Sequence, residues 1–368
     1  MKIIKPKILK TYDTWDQYET PYIPPGVALT AAQKMWADTK GEHSVVAVID
    51  TGIDYRHADL AENVIGGVSF VNGFMEKDYL DENGHGTHVA GVIAANGAIL
   101  GAAPDAKLLA VKVLDRNVQG TFGNVAKGIS WARKWRGANG EKVNIMNLSL
   151  GGPLSHTDLH NEIKKALNDN IVVICAAGNA GDGDSVTDEI SYPAFYSECI
   201  SVGAVDNNTQ SANFSNSNSN INIAAPGVDT YSTYLDNTYA KLSGTSVASP
   251  HISGAAALIC SHFFKRFGRY PLPQYVRELL DFMAIDLGNI GFDQLTGYGF
   301  FSFNIDGGKA YQLKIGQEKY YVNGTEKYLS LSPFLQNGQV CLTLNDMADF
   351  TNIVHHITPE PSEISIWL

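Results

Sequence analysis

The sequence predicts an α/β fold with a mostly parallel β-sheet, helices on both of its faces and a small β-rich appendage at the C-terminal end. Apolar, β-branched runs predict buried strands at 44–50, 106–114, 142–150 and 170–179. Helical patterns lie between them at 86–96, 121–136 and 156–168. Strands that alternate with helices favour a parallel sheet, because each crossover connection places a helix on one face of the sheet.

The composition is typical of a globular protein. Of the 368 residues, 44% are hydrophobic and 18% are charged, which is enough apolar material for a large core. The 27 basic residues are outnumbered by 38 acidic ones, so the net charge is −11 and no nucleic-acid partner is expected. The polar stretch 211–222 is expected to form a surface loop.

No targeting or membrane segment is expected. Charged and polar residues interrupt the N-terminal "MKIIKPKILKTYDTWDQYETPY" before any apolar region long enough for a signal peptide. No apolar run reaches the roughly 18 residues of a membrane span. Widely spaced cysteines without a C-x-x-C pair suit reduced thiols in a cytosolic protein; they are Cys175, Cys199, Cys260 and Cys341.

Polar residues stand where the predicted strands end. In a parallel α/β sheet, sites form beyond the carboxyl ends of the strands. Asp50 closes the first run in "DTG", "SLGG" follows the third run, and Asn179 follows the fourth in "AAGN". Each side chain also has a purely structural interpretation, since aspartate is common in turns and asparagine tolerates a left-handed conformation.

A histidine and a serine each stand at the start of a predicted helix. His85 and His88 lie one helical turn apart in "NGHGTHVAGVIAANG", but no H-E-x-x-H glutamate or third ligand supports a metal site. Ser246, in "SGTS", is placed where helix N–H groups are free at the positive end of the helix dipole. A serine nucleophile there needs a base and an orienting carboxylate, and His85 and Asp50 are the available pair.

Five segments resemble the signature blocks of the subtilisin-like serine proteases. They are "VVAVIDTGID", "NGHGTHVAG", "SLGGP", "AAGNAG" and "GTSVASPH", in the family's order of aspartate, histidine and serine. The resemblance covers residues 22–312, and "ICAAGNAGDGD" followed by "ISYPAFYSECISVGAVD" is most similar to the intracellular bacterial subtilisins. The acidic balance and the lack of a signal peptide agree with that subgroup, so a bacterial cytoplasmic location is expected.

The resemblance implies a serine endopeptidase that acts on polypeptides through an acyl-enzyme, in intracellular degradation or processing. It makes Ser246 the nucleophile, His85 the general base and Asp50 the group that orients His85. Asn179 would stabilise the oxyanion together with the Ser246 N–H, and Thr245 would shape that region. The alternatives are a dedicated precursor-processing protease and a catalytically silent binding protein.

The same blocks predict how a substrate binds. The extended segment 149–152 would offer its backbone edge to a substrate strand. Small residues are expected to wall a roomy first specificity pocket, with a serine near its base; these residues are Ser149, Leu150, Gly151, Ala176, Ala177, Gly178 and Ser191.

No cofactor is expected for the chemistry, while structural calcium stays open. The acidic loop 181–189 could favour a basic substrate residue, hold calcium through Asp184 and Asp188, or be a solvated turn. Subtilisins have a longer calcium-binding loop where this sequence has "AANGAILGAAP". Asp59, at the position of one calcium carboxylate, is therefore not expected to keep that site.

Segments on either side of the peptidase domain, 22–312, have separate interpretations. Residues 1–21 form an extension too short for a core of its own. "IIKPKILK" is expected to lie as a strand along the 149–152 edge and to inhibit the enzyme as in a zymogen, with Pro6 preventing cleavage.

Residues 313–368 predict a small β-rich module with "NG" turns. The module is weakly similar to stalk-like modules of copper amine oxidase N-terminal regions. Its partner is unreadable from the sequence, and a homodimer stays open. His355 and His356 are not expected to form a metal pair, because neighbouring residues on a strand point to opposite faces.

Overall fold

The computed structural model describes residues 21–288 and 291–304 in full. It also describes the backbone of the strand segments 7–12, 310–313, 319–322, 325–328, 334–336, 339–341, 354–357 and 364–367. Contacts within the chain divide it into two units, Met1–Phe303 and Asn304–Leu368. The domain limits expected at 22–312 and 313–368 stay predictions.

The first unit alternates strands and helices for most of its length. In chain order the elements are β1 (Lys7–Tyr12), α1 (Pro25–Leu29), β2 (Val45–Asp50), β3 (Val64–Ser69), α2 (His85–Ala94), β4 (Lys107–Lys112), α3 (Phe122–Lys134), β5 (Ile145–Leu148), α4 (Thr157–Asn168), β6 (Val172–Ala176), β7 (Ile200–Val205), β8 (Ile221–Pro226), β9 (Thr230–Thr233), β10 (Tyr239–Ser243), α5 (Thr245–Phe267), α6 (Pro273–Phe282), β11 (Ala284–Ile285) and β12 (Phe300–Phe301).

Apart from β1, β9 and β10, which form a three-stranded sheet in the order β1-β10-β9, the described strands of this unit form one large sheet in the order β11-β12-β8-β7-β6-β5-β2-β4-β3. Its strand pairs are parallel except β11 with β12. The chain runs from β2 to β3 and β4 on one side and then crosses to β5 on the other. The carboxyl end of β2 therefore lies at a topological switch point, where α/β sheets open a crevice for ligands.

Both faces of the sheet are buried. Val46 and Val48 of β2 belong to a core shared with α2 and α5, whereas Ala47 and Ile49 belong to a second core shared with α3 and α4. The alternation follows from the two-residue period of a strand. The predicted α/β fold with a mostly parallel sheet is confirmed, and the predicted strands and helices occur with ends shifted by a few residues.

The polar stretch 211–222 is not simply a surface loop, and that part of the prediction is wrong. The residues from Ser215 to Asn218 are almost completely buried. Their polar side chains are accommodated because they donate and accept hydrogen bonds within the fold, as buried polar groups must.

The N-terminal strand forms, but on a different partner from the one predicted. Strand β1 pairs antiparallel with β10, with Lys7 opposite Ser243 and Tyr12 opposite Tyr239, and not along the 149–152 edge. The edge of the β9–β10 hairpin offers β1 backbone partners, with a register shift between Ile8 and Lys10. Pro6 and the other residues of 1–6 lie outside the described residues.

The second unit is antiparallel β-structure in its described segments. Strands β13 (Ala310–Leu313), β14 (Lys319–Val322), β15 (Thr325–Tyr328), β18 (Val354–Ile357) and β19 (Ile364–Trp367) form a sheet in the order β15-β14-β13-β19-β18, and β16 (Phe334–Gln336) pairs with β17 (Gln339–Cys341). This confirms the β-rich appendage. The "NG" pairs fall between β14 and β15 and between β16 and β17, outside the described residues.

His355 and His356 are neighbours on β18, as expected. Across the part of the chain that the structure describes, no helix is long and apolar enough to cross a membrane.

Candidate active site

Asp50 is the last residue of β2 and is fully buried at the switch point. Its Oδ1 accepts a hydrogen bond of 2.7 Å from the N–H of Thr51 and faces His85 Nδ1 at 2.7 Å. A carboxylate only accepts, so Nδ1 of His85 must be the donor. This bond leaves Nε2 of the neutral imidazole as a free base.

His85 is the first residue of α2 and is itself 2% exposed. Burial lowers its pKa by penalising the imidazolium, but the charge and hydrogen bond of Asp50 and the charge of Asp81 outweigh that effect. The net result is a pKa raised above the ordinary 6.5. Asp50 therefore both orients His85 and stabilises its protonated form.

His88 does not join His85 in a metal site. Its Nε2 lies 3.0 Å from the carbonyl of Thr230 and 3.2 Å from that of Ala240, so it is a donor in a neutral ring. Burial, followed by the nearby His85, lowers the pKa of His88 to about 3. The described residues contain no cluster of three or more potential metal ligands.

Ser246 lies in the first turn of α5 and is 3% exposed. Asp50 Oδ2, His85 Nε2 and Ser246 Oγ are buried and have no hydrogen-bond partner among the described residues. The bond between His85 Nε2 and Ser246 Oγ is thus not made in this structure. His85 Nε2 and Ser246 Oγ therefore remain available to a reacting molecule.

Asn179 follows β6 and is held by Thr245. Its Oδ1 accepts 2.8 Å bonds from both the N–H and the hydroxyl of Thr245, which directs the Nδ2 amide group away from Thr245. A Cβ added to Gly244 would lie 3.0 Å from Asn179 Nδ2 and 3.2 Å from Ser246 Oγ. Glycine therefore keeps open a small space that the amide and the hydroxyl share, and the first-turn N–H of Ser246 has no preceding helix carbonyl to bond.

A cleft opens beside Ser246. Its lining includes most of the predicted pocket residues; it consists of Ser149, Leu150, Gly151, Ala176, Gly178, Asn179, Ser191, Thr245 and Ser246. Ala177 is outside the lining, because its N–H donates to Val202 and the residue is buried within the sheet. Ser191 Oγ is buried and has no partner among the described residues.

The comparisons with known proteins agree with this geometry. A model of the subtilase family matches residues 41–299, which is more than half of the chain. The chain belongs to the subtilase family. It is similar to the "Major intracellular serine protease" of Bacillus subtilis (strain 168), with 46% identity over 254 residues, covering 67% of this chain and 78% of that protein.

Two further relatives point the same way. The "Intracellular serine protease" of Paenibacillus polymyxa is 46% identical over 243 residues, covering 64% of this chain and 72% of that protein. "Subtilisin DY" of Bacillus licheniformis is 45% identical over 273 residues, covering 73% of this chain and 93% of that protein. This subtilase is a serine endopeptidase that acts on polypeptides, as predicted, and the silent binding protein is not favoured. The family match ends at residue 299, so the similarity of 313–368 to stalk-like modules is not confirmed.

The subtilase cleft depends on Asn216, which sequence reasoning missed. Asn216 Oδ1 accepts a bond from the N–H of Ala180, and its Nδ2 donates to the carbonyl of Glu189. A Cβ on Gly178, whose φ is +117°, would lie 2.3 Å from Asn216 Nδ2. Asn216 thus supports the cleft wall at Gly178 through contacts on the side away from the cleft. The only sequence signal for this role is its place in a polar stretch.

The acidic loop of the subtilase is organised by its own hydrogen bonds. Asp182 Oδ1 accepts from Asp184 N and from the hydroxyl of Thr187, and Asp184 Oδ1 accepts from Val186 N. These bonds fit a solvated turn. Calcium at Asp184 and Asp188 stays a prediction.

Asp59 does not fit the family's calcium site in this subtilase. Its carboxylate is 4% exposed and already accepts bonds from the N–H groups of Ala98 and Ile99 and from the hydroxyl of Tyr239. A Cβ on Gly97 would lie 2.1 Å from Asp59 Oδ1. The short loop therefore closes directly over the carboxylate, and a cation would have to displace these donors.

Proposed function

We propose that the chain is an intracellular bacterial endopeptidase that degrades or processes polypeptides, with Ser246 as nucleophile, His85 as base and Asp50 as orienting group. The observation that carries the proposal is the 2.7 Å contact between Asp50 Oδ1 and His85 Nδ1. His85 Nε2 and Ser246 Oγ are both buried without a partner among the described residues, on helices α2 and α5, which pack against each other. The names of the relatives in Bacillus subtilis and Paenibacillus polymyxa support the location. The buried free thiols of Cys175, Cys199 and Cys260 suit it too.

The reaction needs only groups of this chain and water. Ser246 Oγ attacks the carbonyl carbon of the scissile bond while His85 Nε2 takes the hydroxyl proton. Asn179 Nδ2 and the Ser246 N–H donate to the oxyanion that forms. His85 gives the proton to the leaving nitrogen, the C–N bond breaks, and an ester to Ser246 remains.

Hydrolysis of that ester repeats the same roles. His85 takes a proton from a water molecule while the water oxygen attacks the ester carbonyl. His85 then returns the proton to Ser246 Oγ as the carboxylic acid leaves. The substrate strand would lie along segment 149–152, with one side chain in the cleft whose wall includes Gly151 and Gly178 and whose base carries Ser191.

A covalent probe tests the proposal. Once the N-terminal extension has been removed, a fluorophosphonate should label the mature protein at Ser246, and Ser246→Ala should abolish both labelling and peptidase activity. Ser44→Ala is a matched control, since Ser44 is a buried serine whose hydroxyl bonds the carbonyl of Ala257, away from the cleft. Folded mature protein, without the extension, that is neither labelled nor active would refute the proposal. A homodimer and a partner for residues 313–368 stay predictions.

A further inference from the structure

Lys112 is a charged residue that the proposed reaction does not use. It ends β4 with 0% exposure and is among the largest fully buried side chains of the described residues. Burying an ammonium costs free energy unless its charge and hydrogens find partners. Core packing alone therefore does not explain why a lysine is buried beside the site.

The ammonium of Lys112 connects the chain segment after Asp50 with the chain segment before His85. Nζ donates a 2.7 Å bond to the carbonyl of Thr51, the residue after Asp50. Nζ also lies 3.7 Å from Glu82 Oε2, on the segment that leads into His85. The ring of Phe74 covers it at 5.1 Å from Nζ to the ring centre, which adds a cation–π contact.

Strand register explains why the lysine reaches this point. In the parallel β2–β4 pair, Asp50 lies directly opposite Lys112. Val48 and Ala110, two residues earlier on each strand, belong to the same core cluster. Because side chains repeat every two residues along a strand, Asp50 and Lys112 leave the sheet on the same face.

Thr51 is the residue through which Lys112 acts. The N–H of Thr51 donates to Asp50 Oδ1 at 2.7 Å, and its hydroxyl accepts from the N–H of Gly86 at 2.9 Å. A shift of Thr51 would therefore move both the carboxylate of Asp50 and the first turn of α2, which begins with His85.

We propose that Lys112 is a positioning residue that holds the Asp50–Thr51 turn in register with the His85 segment. The proposal rests on the proposed roles of Asp50 and His85. Without the ammonium, the Thr51 carbonyl loses its donor and Glu82 its counter-ion, and the turn relaxes. Misplacement of reacting groups by about 1 Å costs on the order of 10²-fold in rate.

Kinetics per active site test the proposal. Lys112→Met has similar length but no donor, while Lys112→Gln restores a neutral N–H donor. Lys107→Met is the matched control, because Lys107 begins the same strand and bonds Glu62 O and Asn63 Oδ1 away from the site. Active sites are counted by fluorophosphonate labelling, and kcat and KM are measured on a peptide per labelled serine.

We expect Lys112→Met to lower kcat per site by about 10- to 100-fold with KM nearly unchanged. Lys112→Gln should recover part of the loss, and Lys107→Met should match wild type. Wild-type kcat per labelled serine in Lys112→Met would overturn the proposal. The proposal would also be overturned if both Lys112 variants lost activity only in proportion to their loss of folded protein. Failure to label the wild-type protein after removal of its N-terminal extension would instead refute the proposed function.

Discussion

The hydroxyl of Ser149 donates a 2.7 Å hydrogen bond to the backbone carbonyl of Ser246. In a regular helix the N–H of residue 250 would make this bond, but Pro250 has no N–H to give. Ser149 therefore supplies the missing donor from the cleft wall. One side chain thereby ties the substrate-binding segment to the helix turn that carries the proposed nucleophile.

Replacing Ser149 should consequently destabilise the protein. In Ser149→Ala the Ser246 carbonyl loses its donor, and a buried group left unpaired costs about 1–3 kcal/mol. The free energy of unfolding can be measured in urea on a Ser246→Ala background, which prevents self-digestion. Ser185→Ala, at an exposed position of the acidic loop, should change it little. Equal stability of the two variants would contradict the assignment.

The fold and the centre of the site were predictable because each rests on a local pattern. Buried strands of a parallel sheet appear as apolar runs, and polar residues at their ends must lie together at the switch point. Asp50 and Asn179 follow that rule, Ser246 stands at the start of a helix, and the resemblance added their roles. The 2.7 Å contact of Asp50 with His85 is the tertiary consequence.

The pH dependence of activity should reflect the environment of His85. Its pKa is raised above 6.5 in the folded protein, and only the neutral ring can accept the Ser246 proton. Activity should therefore fall as the pH drops through a value above 6.5. Asp50→Asn removes the charge that raises this pKa. The acid limb of its residual activity should therefore shift to lower pH. The check is kcat/KM against pH for both proteins.

Asp50→Asn should also lose about 10⁴-fold in kcat, the size of loss that the same change causes in a related triad. An acid limb of wild type below 6.5, or one that does not move in Asp50→Asn, would contradict the assignment of the titration to His85.

Variants of Asn179 and Thr245 should distinguish the hydrogen bond to the oxyanion from the contacts that orient its donor. Asn179→Ala removes the proposed donor and should lower kcat by about 10² to 10³-fold with little effect on KM. Thr245→Val keeps the N–H that bonds Asn179 Oδ1 but removes the hydroxyl bond, so its loss should be smaller. Steady-state kinetics on one peptide distinguish the two. A Thr245→Val defect as large as that of Asn179→Ala would show that the hydroxyl does more than orient the amide.

Other features could not be predicted because they depend on contacts between distant segments. Asn216 braces the cleft wall through Ala180 and Glu189, and nothing in its local sequence specifies those partners. Strand β1 pairs with β10 and not with the 149–152 edge, and nothing in its own sequence specifies that partner. Lys112 looked like one polar residue in an apolar run, and only register places it opposite Asp50.

The short loop over Asp59 predicts tolerance of chelators. Two backbone N–H groups and the Tyr239 hydroxyl already satisfy the carboxylate, so EDTA should lower the melting temperature little. Asp59→Ala should instead cost several kcal/mol, since each buried donor left unpaired costs about 1–3 kcal/mol. Thermal and urea unfolding on the Ser246→Ala background measure both effects. Stoichiometric calcium bound tightly at Asp59 would refute this prediction.

Strand β1 places the N-terminal extension close to the proposed nucleophile. Lys7, at the N-terminal end of β1, lies opposite Ser243, three residues before Ser246 in the sequence. We expect residues 1–6, which precede Lys7, to block the cleft, with Pro6 unable to present a normal cleavable backbone. The ladder with β10 would hold them there, since backbone pairing gives affinity with little demand on sequence.

Two deletions separate the blocking segment from its anchor. Removing residues 1–6 should raise the initial rate on a short peptide and abolish any lag, because β1 alone anchors without blocking. Removing residues 1–20 should do the same. A further variant, with residues 1–6 replaced by a glycine-serine segment of equal length, tests whether any chain of that length inhibits the enzyme. Mass spectrometry at each time point shows whether the full-length chain is still intact. If intact full-length protein and both deletions hydrolyse the peptide at the same rate from the first seconds, the extension is not inhibitory, and β1 serves only to complete the edge of the β9–β10 hairpin.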